Sequence, residues 1–303
     1  MRRALLQAAL LPVVVAFACR NGAGETPQFD GELARRRVEH MVAAGPRVPG
    51  TPAHRAIGDW LVAQLRATAD TVVVQTWVHV TADGDSLPMR NIFARWRPAD
   101  PNRVLYVSHW DSRPTSDQDP DPARRSQPTP GANDGGSSTA MLLGVADELK
   151  RQPPAIGVDL LFVDGEDYGD FSGPDALIGS RYFARNLPPG YRPLFAVVWD
   201  IIGSERPRFL REGYSLQGAP EVVERVWQAA QDNGARDIFV NQDGGATTDD
   251  HVPLLEAGIR AIDVIDQLGG GGYTAWHTTQ DTPDKISAAT LARVGRVAMA
   301  LLR

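Results

Sequence analysis

Four short apolar runs of this 303-residue chain end in acidic or imidazole side chains. Val104–Ser108 leads into His109-Trp110-Asp111, and Val158–Val163 into Asp164-Gly165-Glu166-Asp167. Phe195–Trp199 leads into Asp200, and Ala261–Ile265 runs through glycines to Trp276-His277. A fifth group, Asp134, stands in Gly131-Ala132-Asn133-Asp134-Gly135-Gly136 just before a helical pattern. Singly, each has a plain reading. A strand-end aspartate usually serves a turn or a helix cap, a lone histidine is usually a satisfied polar group, and Glu166 with Asp167 reads as a solvated acidic pair. Jointly those readings weaken, because one cation with oxygen and nitrogen ligands explains all five. Zinc accepts that set and keeps a position for substrate. Cys19 is the only cysteine, which excludes a thiolate site and an intrachain disulfide. Adjacent residues at a strand end point in different directions, so of Glu166 and Asp167 one can ligate while the other faces substrate. Burial and like charge push such a carboxyl towards neutrality, which suits Glu166 to proton transfer.

The elements that must position these groups follow from periodicity. Helical spacing runs from Glu32 to Ala44, stops at Gly45-Pro46 and resumes through Ala56, Trp60, Leu61 and Leu65. Val72–Val80 alternates as an edge strand does, and Asn91–Arg97 pairs with it. The four apolar runs alternate with helical segments at Thr139–Lys150, Ala176–Asn186, Pro220–Asn233 and Ala288–Leu302. That alternation predicts a single-domain three-layer α/β/α sandwich with a mixed, mainly parallel sheet covered on both faces. Open sheets of this kind bind ligands beyond the carboxyl ends of their strands, so the groups above should converge.

Composition narrows the class. Arg2 and Arg3 precede an apolar run from Ala4 to Ala18 and then Cys19, a secretory pattern too short to span a membrane. Residues 1–19 therefore read as a signal of lipoprotein type, with Cys19 as the lipidated residue and ordinary cleavage nearby as the plainer reading. Residues 20–30 read as a linker and 31–303 as the catalytic domain; the roughly 280 residues after the signal are enough for a substantial core. An exported, periplasmic or outer-membrane-anchored monomer is expected. Net charge is −6 without a basic run, which disfavours nucleic acid as a partner.

The diagnostic segments His109-Trp110-Asp111, Ala132-Asn133-Asp134-Gly135, Asp164–Asp167, Trp199–Gly203, Asp249-Asp250-His251 and Trp276–Thr279 resemble those of the M28 zinc peptidases. Within them the chain is most similar to the type II glutaminyl cyclases, from Gly45 nearly to the end. The resemblance implies zinc on Asp134, Asp167 and His277, with Glu166 as general acid/base. In dinuclear aminopeptidases of the family, the positions of His109 and Asp200 hold a second metal bridged by that of Asp134. In the cyclases, which use one zinc, the position of Asp200 joins a hydrogen-bond network. The family also implies a cis peptide after Asp134.

Two residues tilt the resemblance towards cyclisation of N-terminal glutamine. Asp249 stands where peptidases commonly carry serine, and Trp276 before His277 matches an indole that walls the cyclase pocket. Trp110 is a further substrate-binding candidate, while His109 and His251 are expected to orient the groups nearer the metal. Mammalian cyclases have Glu at the position of Asp167, which leaves the metal count open. The alternatives are a zinc aminopeptidase, in which Glu166 activates water, and a zinc-dependent peptide-binding protein without turnover. His251 reads as a donor to Asp200 or Asp249, or as a core histidine. His40, His54 and His79 read as surface groups. Asp117–Asp121 lacks the glycine and distal glutamate of an EF-hand. Gly269–Gly272 reads as a flexible connection placed to move over the site.

Overall fold

A computed structural model describes residues 29–266 and 272–302. The expected signal over 1–19, residues 20–28 of the linker and Gly269–Gly271 lie outside them. The chain opens with α1 (Gly31–Ala43), capped by the Asp30 side chain on the Leu33 amide, and α2 (Pro52–Arg66), capped by Thr51 on the His54 amide. Next come β1 (Thr71–Val80), β2 (Ser86–Trp96), β3 (Arg103–His109), α3 (Gly136–Arg151) and β4 (Gly157–Val163). Then follow α4 (Ile178–Arg185), β5 (Phe195–Asp200), β6 (Phe209–Arg211), α5 (Gly213–Gly218) and α6 (Pro220–Asp232). β7 (Phe239–Asp243), α7 (His251–Glu256), β8 (Ala261–Ile265) and α8 (Ala288–Ala300) complete the order.

The main sheet has the order β1-β2-β4-β3-β5-β8. β4, β3, β5 and β8 are mutually parallel, and β2 and β1 run antiparallel at one side. The expected mixed, mainly parallel sandwich is therefore the fold. Successive residues of the central strands alternate between two cores: Tyr106, Leu160 and Val197 face one, while Leu105, Leu161 and Ala196 face the other. α1, α2, α3 and α8 cover the first face, and α4 and α7 the second. Four short elements escaped the periodicity. α5 and α7 span about one helical turn or two, and β6 and β7 form a small separate sheet, lengths too short for a pattern to register.

A buried ion network pins the far end of the sheet. Asp159 on β4 is fully buried and accepts from Arg103 Nη2 at 2.8 Å, Arg95 Nε at 3.1 Å and Tyr191 Oη at 2.7 Å. Arg103→Ala should lower stability by about 3 kcal/mol, the low end for a broken buried pair because two donors remain. Urea unfolding checks this, and an unchanged midpoint would show the pair to be idle.

Candidate active site

Strand order reverses at β3, whose neighbours β4 and β5 lie on its opposite sides. Beyond the carboxyl ends of these strands is where such sheets bind ligands. His109 ends β3, Glu166 and Asp167 follow β4, and Asp200 ends β5. Asp134 arrives at the start of α3, and His277 from the loop after β8. The five expected groups converge. Asp134, Asp167 and His277 present ligand atoms within 4.8 Å of one another, as do His109, Asp134 and Asp200. Asp134 is common to both sets. His277 Nε2 lies 3.1 Å from Asp167 Oδ1 and 3.7 Å from Asp134 Oδ2, and His109 Nε2 lies 3.1 Å from both Asp134 Oδ1 and Asp200 Oδ1. The Oδ2 atoms of Asp134 and Asp167 are buried without a hydrogen-bond partner. Buried carboxylate oxygens left so are costly unless a cation takes them. Two carboxylates and an imidazole form a donor set that suits zinc.

The turns carrying these groups are held by their main chain. Asp111 accepts the amides of Glu166 and Asp167, each at 3.2 Å. Asp281 accepts those of Asn133 at 2.8 Å and Asp134 at 3.1 Å, and the Tyr273 hydroxyl at 2.5 Å. Arg47, fully buried, donates to the carbonyls of Trp110 and Gly131 at 2.8 and 2.7 Å, tying the His109 loop to the Asp134 loop. Gly135 has φ +65°, and a Cβ there would lie 2.6 Å from His109 Cε1. Left-handed glycine thus turns the chain at Asp134. No cis peptide occurs among the described residues, so the expected cis bond after Asp134 is corrected to trans. His277 and Ile201 are themselves left-handed, at φ 52° and 48°, a conformation that costs roughly 1–3 kcal/mol outside glycine.

A cavity of about 310 Å³ opens over these groups, with Asp134, Glu166, Asp200, Asp249 and His277 on its polar side. Phe171, Ile265 and Trp276 supply apolar walls, and Ala246–Thr248 form a rim. The Trp276 ring stacks on His277, with centroids 3.5 Å apart. Burial drives the Glu166 carboxyl well above its usual range, His109 opposing and Asp249 and Asp167 adding to the push. Burial, then the charge of Asp200, raises Asp249 to about 7. Asp200 is raised by burial against the pull of His109. No direct hydrogen bond joins Glu166, Asp200 and Asp249. Burial alone would lower His277, but Asp167, Asp117 and Asp134 bring it up to about 9.

Several expectations are corrected. Trp110 is fully buried, stacks on His54 at 4.3 Å and donates to the Arg90 carbonyl at 3.2 Å. It belongs to the core, because the residue after His109 points away from the cavity. His54 is not a surface group: it is buried, with Nε2 2.8 Å from Asp164 Oδ1. His79 is half-buried against Asp175, whereas His40 is exposed beside Trp60. Of its two readings His251 takes the second, a core histidine: it is wholly buried, and its Nε2 lies 3.1 Å from Glu212 Oε2 rather than on Asp200 or Asp249. Against the upward push of burial, that contact holds Glu212 at about 2. In the Asp117–Asp121 loop, Asp119 is spent on Thr279 and the Asp121 amide. Asp117 instead reaches the site, its Oδ1 3.3 Å from His277 Nδ1. Asp117, Arg113, Asp281 and Phe171 were all missed. They sit on irregular loops without periodicity, and only the acid-rich spelling of 117–121 offered a signal.

Residues 91–302 match the pattern of peptidase family M28. The glutaminyl-peptide cyclotransferase of Bos taurus is 25% identical over 96% of this chain and 85% of its own length. The glutaminyl cyclase of Bacteroides thetaiotaomicron, solved with N-acetylhistamine bound, is 36% identical over 91% of this chain and 98% of its own, with a TM-score of 0.88. A leucine aminopeptidase precursor from the same species is also 36% identical, over the same shares, with a TM-score of 0.87.

The protonation of His277 has a measurable consequence. A ring raised to about 9 carries its proton at neutral pH, and a metal takes only the neutral ring. Zinc loading at pH 7 should release at least one proton per ion, and affinity should rise with pH until about 9. Calorimetry in buffers of different ionisation enthalpy checks this. Proton-free binding would place the metal away from His277.

Proposed function

The chain belongs to peptidase family M28, and from that membership we propose that it is a zinc-dependent glutaminyl-peptide cyclotransferase. Its substrate would be a peptide or protein with N-terminal glutamine, and its products the pyroglutamyl peptide and ammonia. The observation that carries this reading is the pairing of Asp249 and Trp276 around Glu166 in one small cavity. A cavity of about 310 Å³ suits a single side chain rather than a long peptide, and the indole face offers that side chain an apolar wall.

Zinc would be held by Asp134, Asp167 and His277, and it supplies Lewis acidity towards an amide carbonyl when bound. The reaction forms a bond between the α-nitrogen and Cδ, the carbonyl carbon of the side-chain amide, and breaks the bond from Cδ to the amide nitrogen. One proton must leave the attacking amine and one must reach the departing nitrogen, so a single carboxyl can take the first and return the second. Glu166 faces the cavity and is biased towards its protonated form by burial and by Asp249 and Asp167, which suits that relay. Asp200 and Asp249 surround it with charge and adjust its proton affinity. Trp276 and Phe171 narrow the cavity so that the flexible glutamine chain is held bent with its two ends together.

A second reading has its own observation. His109, Asp134 and Asp200 form another three-residue set that could hold a second ion, the arrangement expected of an aminopeptidase in which Glu166 would deprotonate water. Incubating the protein with a Gln-peptide and a Leu-peptide separates the two. Ammonia and pyroglutamyl peptide from the first, without leucine from the second, support the cyclase. Leucine release without ammonia would sink it.

Glu166→Gln should lower turnover by roughly 10²–10⁴-fold with zinc content unchanged, as read by metal analysis of the purified variant. Zinc lost with the activity would mean that Glu166 and Asp167 have exchanged roles. Trp276→Ala should raise KM for Gln-peptides more than it lowers kcat, while Trp110→Phe should leave both near wild type in steady-state assays.

A further inference from the structure

Arg113 has no part in the relay just described, yet it donates directly to the side chain of a proposed zinc ligand. Its Nη1 donates to Asp167 Oδ1 at 2.8 Å and to the Gly169 carbonyl at 3.1 Å. Its Nε donates to Asp117 Oδ1 at 2.6 Å, and that same oxygen lies 3.3 Å from His277 Nδ1. The guanidinium is largely buried, with 12% of the side chain exposed, so solvent screens these contacts little. A chain of Asp167, Arg113, Asp117 and His277 therefore links two of the three proposed zinc ligands through one planar group.

The two oxygens of Asp167 are thereby made unequal. Oδ1 is engaged by Arg113, whereas Oδ2 is buried and accepts no hydrogen bond. Oδ1 is also the oxygen that lies 3.1 Å from His277 Nε2, so the guanidinium holds the carboxylate with that oxygen turned towards the proposed ligand nitrogen. On the other side, Asp117 Oδ1 stands 3.3 Å from Nδ1 without forming a hydrogen bond, so it acts on the ring through its charge. Resting on the ligand assignment above, we propose that Arg113 is a positioning residue that sets the orientation of the Asp167 carboxylate and holds Asp117 beside the His277 ring.

Charge and positioning predict opposite outcomes when Arg113 is replaced. A cation 2.8 Å from a ligand oxygen repels a divalent ion, so charge alone predicts tighter zinc on its removal. Positioning predicts weaker zinc. The test uses the full chain carrying Arg113→Gln or Arg113→Lys, with Zn2+ affinity measured by chelator competition and the visible spectrum recorded after Co2+ loading. Both variants should bind zinc about 10–100-fold more weakly, since lysine keeps the charge without the fork. The cobalt bands of Arg113→Gln should change in position and intensity as Asp167 leaves the orientation that the guanidinium holds. Wild-type or tighter zinc affinity together with an unchanged cobalt spectrum would overturn the proposal. Should the glutamine variant not fold, the lysine variant carries both readouts. His277→Ala run alongside tests the ligand assignment separately: full retention of zinc there would overturn that assignment, whatever the Arg113 variants do.

Discussion

Buried negative charge at one end of the sheet is the constraint that organises this molecule. Asp111, Asp134, Asp164, Glu166, Asp167, Asp200, Asp249 and Asp281 are each almost or wholly excluded from solvent. Carboxylates in that position are tolerated only when hydrogen-bonded, protonated or neutralised by cations, and this chain uses every route. Asp111 and Asp281 are satisfied by main-chain amides, Asp164 by His54 and the Arg90 amide, and Asp167 in part by Arg113. Glu166 and Asp249 keep protons more readily than usual. Among the oxygens of the described residues left without partners, which include those of Asp250 and Asp263, only the Oδ2 atoms of Asp134 and Asp167 belong to carboxylates that converge with His277 on a possible metal position.

Much of this was legible because the ligand-bearing residues follow directly on apolar strands. Strand period, strand order and the acids at strand ends all follow from local pattern, and so does the convergence at the β3 end. What escaped is what lies across the fold. Asp281 grips amides near residue 134, and Arg113 reaches Asp167, contacts that no spacing encodes. Trp110 shows a limit of a different kind. Its neighbours His109 and Asp111 serve the site, but alternation sends the indole into the core against His54. His54 was misjudged for the same reason, since its partner Asp164 stands 110 residues away.

The two cores have different tasks. One face of the sheet is covered by α1, α2, α3 and α8, and this larger cluster carries most of the apolar burial. The opposite face, under α4 and α7, is smaller and lies next to the acids. The left-handed backbone at Ile201 and His277 is strain that the larger core must offset. It aims the imidazole where a relaxed backbone would not.

Because Asp111 and Asp281 grip the loops of the site through peptide N–H groups, those loops keep their shape whatever residue is displayed at the gripped positions. The side chains at 134, 166 and 167 are in that sense interchangeable parts on a permanent mount. A lineage can lengthen an acid, change a wall or alter a metal complement one residue at a time without refolding the loop that carries it. Neighbours named for cyclisation and for aminopeptidase action do share this fold.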